Sequence, residues 1–162
     1  MAEEENPVED PLITPCKCDG SLKYIHHSCL KQWFKGKRIV KQYNEVVTTF
    51  FWYDLQCELC KTQYPYAIKT PDGTYVNIIE YEKPARTRTS CYLVLESISS
   101  SPNKVIHVVD FTRASQVYIG RGQEADIRAT DNSVSRLHAL ITRSAKGKFY
   151  LKDYDSKFGT VV

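Results

Sequence analysis

Pro15-Cys16-Lys17-Cys18-Asp19-Gly20-Ser21, then Tyr24-Ile25-His26, Cys29-Leu30-Lys31-Gln32-Trp33 and, after a long interval, Cys57-Glu58-Leu59-Cys60-Lys61, decide how the first half of this chain folds. Zn²⁺ takes four soft or borderline ligands in a tetrahedron, and a close pair on each of two loops presents its atoms with little added ordering cost. Cys16/Cys18 and Cys57/Cys60 are two such pairs and supply four thiolates. His26 with Cys29 is a third pair and supplies half of another site. Two pairs this tight seldom arise among ordinary reduced core thiols. A redox role for Cys57-x-x-Cys60 lacks the βαβ surroundings it needs.

At 162 residues the chain has room for one ordinary domain or two small ones. It is 42% hydrophobic, 25% charged and 12% aromatic, a globular composition rather than a disordered one. No apolar run approaches the roughly 20 residues of a spanning helix, so no membrane span is expected. The acidic N-terminus, Met1 to Asn6, has no apolar core and argues against a secretory or mitochondrial leader. The expected setting is intracellular, cytoplasmic or nuclear, where the six cysteines are metal ligands or core thiols rather than disulfides.

The net charge of +3 is unevenly spread: residues 1–66 carry eight Lys and Arg against nine Asp and Glu, and residues 67–162 fourteen against ten. Neither half has the basic footprint of a nucleic-acid binder, so no nucleic-acid partner is expected. An anionic ligand in the second half is allowed.

Five cysteines precede residue 61, and the sixth, Cys91, stands in an apolar stretch as a buried thiol. Leu30, Trp33 and Phe34 show helical spacing after Cys29 and predict one short helix. His27 is expected to face solvent. Tyr43 and Phe50-Phe51-Trp52-Tyr53, between Cys29 and Cys57, are expected to pack against the zinc scaffold. Pro65, Pro71, Asp72-Gly73 and Pro84 break any long element and predict a connector with one hairpin at about residues 66–81. Beyond Ser90 come short β-branched and aromatic runs, residues 92–95, 105–111, 117–119, 137–141 and 149–151, separated by turn clusters such as residues 99–103 and 146–147. Such regular short strands predict an all-β sandwich or barrel.

The order C-x-C, H-x-x-C, C-x-x-C and the words around it resemble the RING-CH (RINGv) family of zinc-binding ubiquitin ligases, over residues 6–65. That resemblance implies a cross-braced arrangement of four cysteines, a histidine and three cysteines. Cys16, Cys18, Cys57 and Cys60 then complete one site, and His26 and Cys29 belong to a second whose opening C-x-x-C is expected upstream of Met1. Glu3-Glu4-Glu5-Asn6-Pro7 looks like the loop that follows that pair. The chain is thus expected to be truncated at its start and to hold Zn at one complete site, with the second half-formed. About 66 residues bury little apolar surface, and structural zinc contributes on the order of 10 kcal/mol of apparent folding energy. The family performs no chemistry of its own: it grips a ubiquitin-conjugating enzyme and favours transfer from that enzyme's thioester to a lysine. Trp33 and Leu59 hold the gripping positions, and Trp33 fits plain helix core equally well.

Three loop motifs follow in the second half: Ile119-Gly120-Arg121-Gly122, Ser133-Val134-Ser135-Arg136-Leu137-His138-Ala139 and Asp153-Tyr154-Asp155-Ser156-Lys157-Phe158-Gly159-Thr160. A dianionic phosphate is best held by a guanidinium fork with hydroxyl and backbone donors, and Arg121, Ser135 and Arg136 supply such groups. A surface salt bridge is the other account of Arg121. Together the motifs resemble a forkhead-associated (FHA) domain, a β-sandwich whose loops bind phosphothreonine, from about Tyr92 to Val162. The resemblance implies that Arg121 and Ser135 contact phosphate with Arg136 assisting, that Lys157 joins the phosphopeptide-binding set, and that His138 buttresses the loops. Phe158 stands where the family usually has an Asn that bonds the peptide main chain, and each lost neutral hydrogen bond costs about 1 kcal/mol. The chain is also expected to stop before the last strands of the sandwich.

The expected architecture is therefore a small zinc-stabilised α+β RING-like module over residues 1–66, a connector over 67–90 and an incomplete FHA-like all-β sandwich over 91–162. The expected function is that of a RING-type ubiquitin ligase whose first module recruits a ubiquitin-conjugating enzyme and whose second recruits phosphothreonine-containing proteins. No residue of this chain is expected to be catalytic. The other reading is a non-catalytic phosphopeptide-binding scaffold with a purely structural zinc module.

Overall fold

The computed structural model describes residues 10–70, 72–98 and 102–162. The N-terminal run 1–6, the loop 3–7, Pro71 and residues 99–101 of the expected serine turn lie outside them. The described chain forms two compact units that alternate along the sequence: one from the described residues of 10–39, 51–81 and 102–104, the other from 40–50, 82–98 and 105–162. Among the described residues there is one α-helix, and the rest of the regular structure is nearly all strand. No helix is long and apolar enough to cross a membrane among these residues.

In the first unit, β1 (Leu12–Ile13) pairs antiparallel with β2 (Ile25–His26), which leads directly into α1 (His27–Lys37). Asp10 reaches back to the first turn of α1, its carboxylate accepting from the Ser28 amide (2.9 Å) and hydroxyl (2.5 Å). That satisfies an orphan donor and places negative charge at the positive helix end, while Lys35 and Lys37 occupy the negative end. Leu30 and Phe34, four residues apart, are the buried face of the helix. His27 is half-buried rather than solvent-facing, because its Nε2–H donates to Asn77 O at 3.0 Å. The expected hairpin is present as β5 (Ala67–Lys69) and β6 (Tyr75–Asn77), with Ile68 opposite Val76. Gly73, at φ +91°, supplies the left-handed turn residue between them.

The second unit holds most of the residues of two four-stranded sheets that form a sandwich. One sheet runs β10 (Ile127–Arg128), β9 (Gln116–Gly120), β11 (Ala139–Arg143), β12 (Phe149–Asp153), and the other β3 (Arg38–Gln42), β4 (Val47–Trp52), β8 (Lys104–Asp110), β7 (Tyr92–Glu96). Val47, Val109, Phe111, Val117, Ile127 and Ile141 form its buried core, with Cys91, Leu93, Leu95, Ile119 and Phe149 packed around them. Strands β7, β8, β9, β11 and β12 correspond to the β-branched and aromatic runs of the sequence.

The pair β3 and β4 lies between the cysteine pairs 16/18 and 57/60 in sequence, yet residues 40–50 pack with the sandwich. The Asn44 side chain locks the connecting turn. Its Oδ1 accepts from the Val46 and Val47 amides (3.0 and 2.9 Å), and its Nδ2 donates to Asp126 Oδ1 (2.6 Å). Asp126 Oδ2 in turn accepts from the Tyr118 amide (2.8 Å), and Val46 O accepts from the Asp110 amide (2.8 Å). The aromatic cluster is thus divided: Phe50 is buried in the sandwich unit, whereas Trp52 is buried in the first unit and Phe51 stacks on Tyr53 there.

Thr49 of β4 is buried and lies 2.9 Å from His107 Nδ1 of β8. Burial pushes the His107 imidazole down from 6.5 to about 4. The unfolded chain takes up a proton below pH 6.5 that the folded chain refuses until about pH 4. Stability that is complete above pH 6.5 is therefore expected to drain away as pH falls through that window, by on the order of 3 kcal/mol. Denaturant midpoints measured from pH 7 to 4 check this; His107→Gln should flatten the slope, and an unchanged slope in that variant would refute the assignment.

Candidate metal centre and anion-binding loops

Cys16 and Cys18 follow β1 on an irregular loop, while Cys57 and Cys60 sit at the tip of a knuckle closed by the Gln56–Gln63 bridge and the Cys57 amide bonding to Thr62 O at 2.9 Å. Lys61, at φ 56°, turns the chain back, its amide reaching Cys57 O at 3.0 Å. The four Sγ atoms all lie within 4.8 Å of one another, and Cys18 Sγ is 3.6 Å from Cys57 Sγ. Thiolates about 2.3 Å from a tetrahedral Zn²⁺ stand about 3.8 Å apart, so donor set and spacing both fit that ion. Four crowded sulfurs cannot all carry charge unaided. Hydrogen bonding with Cys16 and Cys57 pushes the Cys18 thiol up to about 12, whereas the Thr62 hydroxyl and amide draw Cys60 down to about 5. The described residues contain no other group of three or more histidine, cysteine or acidic side chains gathered to hold a metal. His26 immediately precedes α1 and Cys29 is its third residue; both are exposed and stand outside the four-sulfur group.

Trp33 is half-buried, with its ring edge-on to Phe34 and Tyr64 at 5.0 and 6.0 Å. Lys37 links helix to knuckle: its Nζ lies 3.8 Å over the Trp33 ring and 2.8 Å from Glu58 Oε1. Leu59, next to Glu58 and between the ligands Cys57 and Cys60, is 68% exposed. The Lys37–Glu58 link had no sequence signal, because 21 residues separate the partners.

In the sandwich the three loop motifs are stitched together through backbone bonds. Arg121 and Gly122 donate their amides to Ser135 O and Arg136 O, each at 3.0 Å, and His138 donates its amide to Ile119 O at 2.8 Å. Gly120 permits this approach: a Cβ there would stand 2.0 Å from Arg136 O. His138 Nδ1 accepts from the Ser135 amide (3.1 Å) and the His138 backbone O from the Tyr154 amide (2.8 Å), so this residue ties two loops, one through its side chain and one through its main chain. The Lys157 amide donates to Ser135 Oγ at 3.0 Å, which joins the third motif to the second.

Asp153, which sequence reasoning passed over, organises that third loop. Its carboxylate accepts from the Ser156 hydroxyl (2.6 Å) and amide (3.1 Å) and from the Thr160 hydroxyl (2.7 Å), and these bonds hold it down at about 2. An Asp three residues before a Ser is the local signal for such a turn.

Around this platform stand three cations. Arg121 is exposed, and among the described residues no carboxylate pairs with it. Arg136 Nε lies 3.1 Å from Glu124 Oε1, and Lys157 Nζ lies 5.2 Å from the centre of the Phe158 ring, which is 66% exposed. Rigid strands thus present a guanidinium, a hydroxyl and backbone donors to solvent, an arrangement suited to an oxyanion.

Comparison with known proteins yields two families. Residues 1–60 match the RING-variant domain and residues 117–162 match the FHA domain. The chain therefore carries a RING-variant zinc-finger region followed by an FHA region. The E3 ubiquitin-protein ligase MARCHF7 of Rattus norvegicus is 48% identical over 50 residues, 31% of this chain and 6% of that protein. The E3 ubiquitin-protein ligase MARCHF6 of Homo sapiens is 38% identical over 73 residues, 44% of this chain and 6% of that protein. The E3 ubiquitin-protein ligase MARCHF8 of Bos taurus is 39% identical over 61 residues, 37% of this chain and 16% of that protein. The chain spans only a small part of the length of these curated relatives. No solved structure gives a significant match.

Proposed function

We propose that this chain is the recognition part of a RING-type ubiquitin ligase. Its zinc module receives a ubiquitin-conjugating enzyme, and its sandwich receives phosphothreonine-containing proteins. The observation that carries the reading is the convergence of Cys16, Cys18, Cys57 and Cys60 from two distant loops into one four-sulfur group. When bound, zinc supplies structure rather than reactivity, since four protein ligands leave no open position. In this reading one zinc site is complete, and His26 with Cys29 is half of a second.

The exposed Leu59 and the Trp33 ring braced by Lys37 form the contact for the conjugating enzyme, which keeps the chemistry on its own thioester. Arg121, Ser135, Arg136 and Lys157 hold the phosphothreonine, with His138 and Asp153 keeping the loops in place. Linking the two sites raises the effective concentration of substrate at the conjugating enzyme without any new contact. The matched RING-CH ligases supply the prior for the first site, and the stitched loop motifs support the second.

The test has two arms. With ubiquitin, activating enzyme and a panel of conjugating enzymes, chain formation is expected and Leu59→Ala should reduce it at least tenfold. No chains across the panel would leave the non-catalytic scaffold as the better reading. In the second arm, a phosphothreonine peptide library should bind in preference to its unphosphorylated counterpart, and Arg121→Ala should cost tenfold or more in affinity. Equal binding of both libraries by the parent chain would remove the phosphopeptide half.

A further inference from the structure

Of the cations around the loop platform, Arg136 alone already has an anion. Glu124 Oε1 lies 3.1 Å from its Nε, and the Glu124 carboxylate folds back so closely over the Arg121–Gly122 turn that a Cβ on Gly122 would meet Oε2 at 2.5 Å. The glycine at 122 thus makes room for a carboxylate beside the oxyanion platform. Its own backbone amide and then Arg136 hold Glu124 below the usual carboxylate range, so it is charged at neutral pH. Both side chains are solvent-exposed, at 40% and 74%, so the pair is exchangeable rather than locked.

We propose that Glu124 is a built-in competitor for Arg136 that an anion entering the sandwich site must displace, so that the site holds anions more weakly than its cations would alone. The inference rests on the phosphothreonine reading above. An incoming Asp or Glu side chain at Arg136 merely exchanges one carboxylate for another and gains little. A phosphothreonine brings nearly two charges and three acceptor oxygens, enough to displace Glu124 while also engaging Arg121 and Ser135.

Binding isotherms with one phosphothreonine peptide and its aspartate counterpart test this on the full chain. Glu124→Gln is expected to raise phosphopeptide affinity about two- to fivefold, the range of an exposed ion pair. It should raise affinity for the aspartate peptide by no larger factor, because the ligand that engages Arg136 more strongly gains more when the competitor is removed. In an Arg136→Gln background the same substitution should change neither. If the parent binds phosphopeptide but Glu124→Gln binds it no better, or the aspartate peptide gains more than the phosphopeptide, the proposal is overturned while the site reading stands. If no variant binds in a phosphate-dependent way, the reading falls and this inference with it. A ligand-free check is the Arg136 Nε–Hε resonance, which should move as pH falls through the Glu124 titration and stay still in Glu124→Gln; a resonance that does not move in the parent overturns the pairing.

Discussion

Val47→Asp is expected to unfold the sandwich and abolish the phosphopeptide binding proposed for it, although Val47 lies between the two cysteine pairs in the sequence. Its side chain is fully buried against Val109, Phe111 and Val117, and a carboxylate there would have no partner. The cost of an unpaired buried charge rivals the whole stability of a small domain, about 5–15 kcal/mol. Val47→Ala, which only removes methyl groups, should cost about 2–3 kcal/mol and leave binding measurable at low temperature. For the same reason a fragment of residues 91–162 should fail to fold, because it lacks β4 and the Asn44 link to Asp126. Amide exchange across β8 and β9 is the measurement. Unaltered protection in Val47→Asp would show that the strand is dispensable.

Metal removal is the second large effect. Chelation, or Cys57→Ser, is expected to withdraw on the order of 10 kcal/mol of apparent folding energy from the first unit. The cluster gathers the loop at Cys16 and the knuckle at Cys57, beside a small core of Ile13, Leu30, Phe34, Trp52, Leu55, Ile68 and Ile78. Fluorescence of Trp33 and Trp52 should change on chelation and recover when zinc is returned. Cobalt should give the absorption of a tetrahedral four-thiolate site. Metal analysis should find about one zinc per chain, unchanged by Cys29→Ser; about two would show that His26 and Cys29 serve a second complete site. Tryptophan emission indifferent to chelation would separate the four sulfurs from the stability of the fold.

The zinc pairs were legible because each is local: C-x-C and C-x-x-C place two ligands on one turn whatever the rest of the chain does. The strands after Ser90 were legible for a similar reason, since alternating β-branched and aromatic residues favour extended backbone before any partner is chosen. Val47-Thr48-Thr49-Phe50-Phe51-Trp52 carries the same β propensity. The expectation that Phe50-Phe51-Trp52-Tyr53 packs on the zinc scaffold fails at Phe50, which belongs to the sandwich unit, because pairing with β8 spans more than 50 residues and propensity is silent on partners. Glu124 with Arg136, Lys37 with Glu58 and Asn44 with Asp126 were hidden for that same reason. Charge and amide residues carry no periodic signal of whom they will meet.

By itself, then, the amino-acid order determined which side chains carry the chemistry: four thiols in two tight pairs and three turn motifs between strands, all set by separations of a few residues. Tertiary structure alone decided that the interval between the two cysteine pairs contributes strands to the sandwich, and that Arg136, beside the stitched loops, already holds a carboxylate. Those outcomes depend on strand pairing and loop approach across long separations, where burial and steric fit choose the partner.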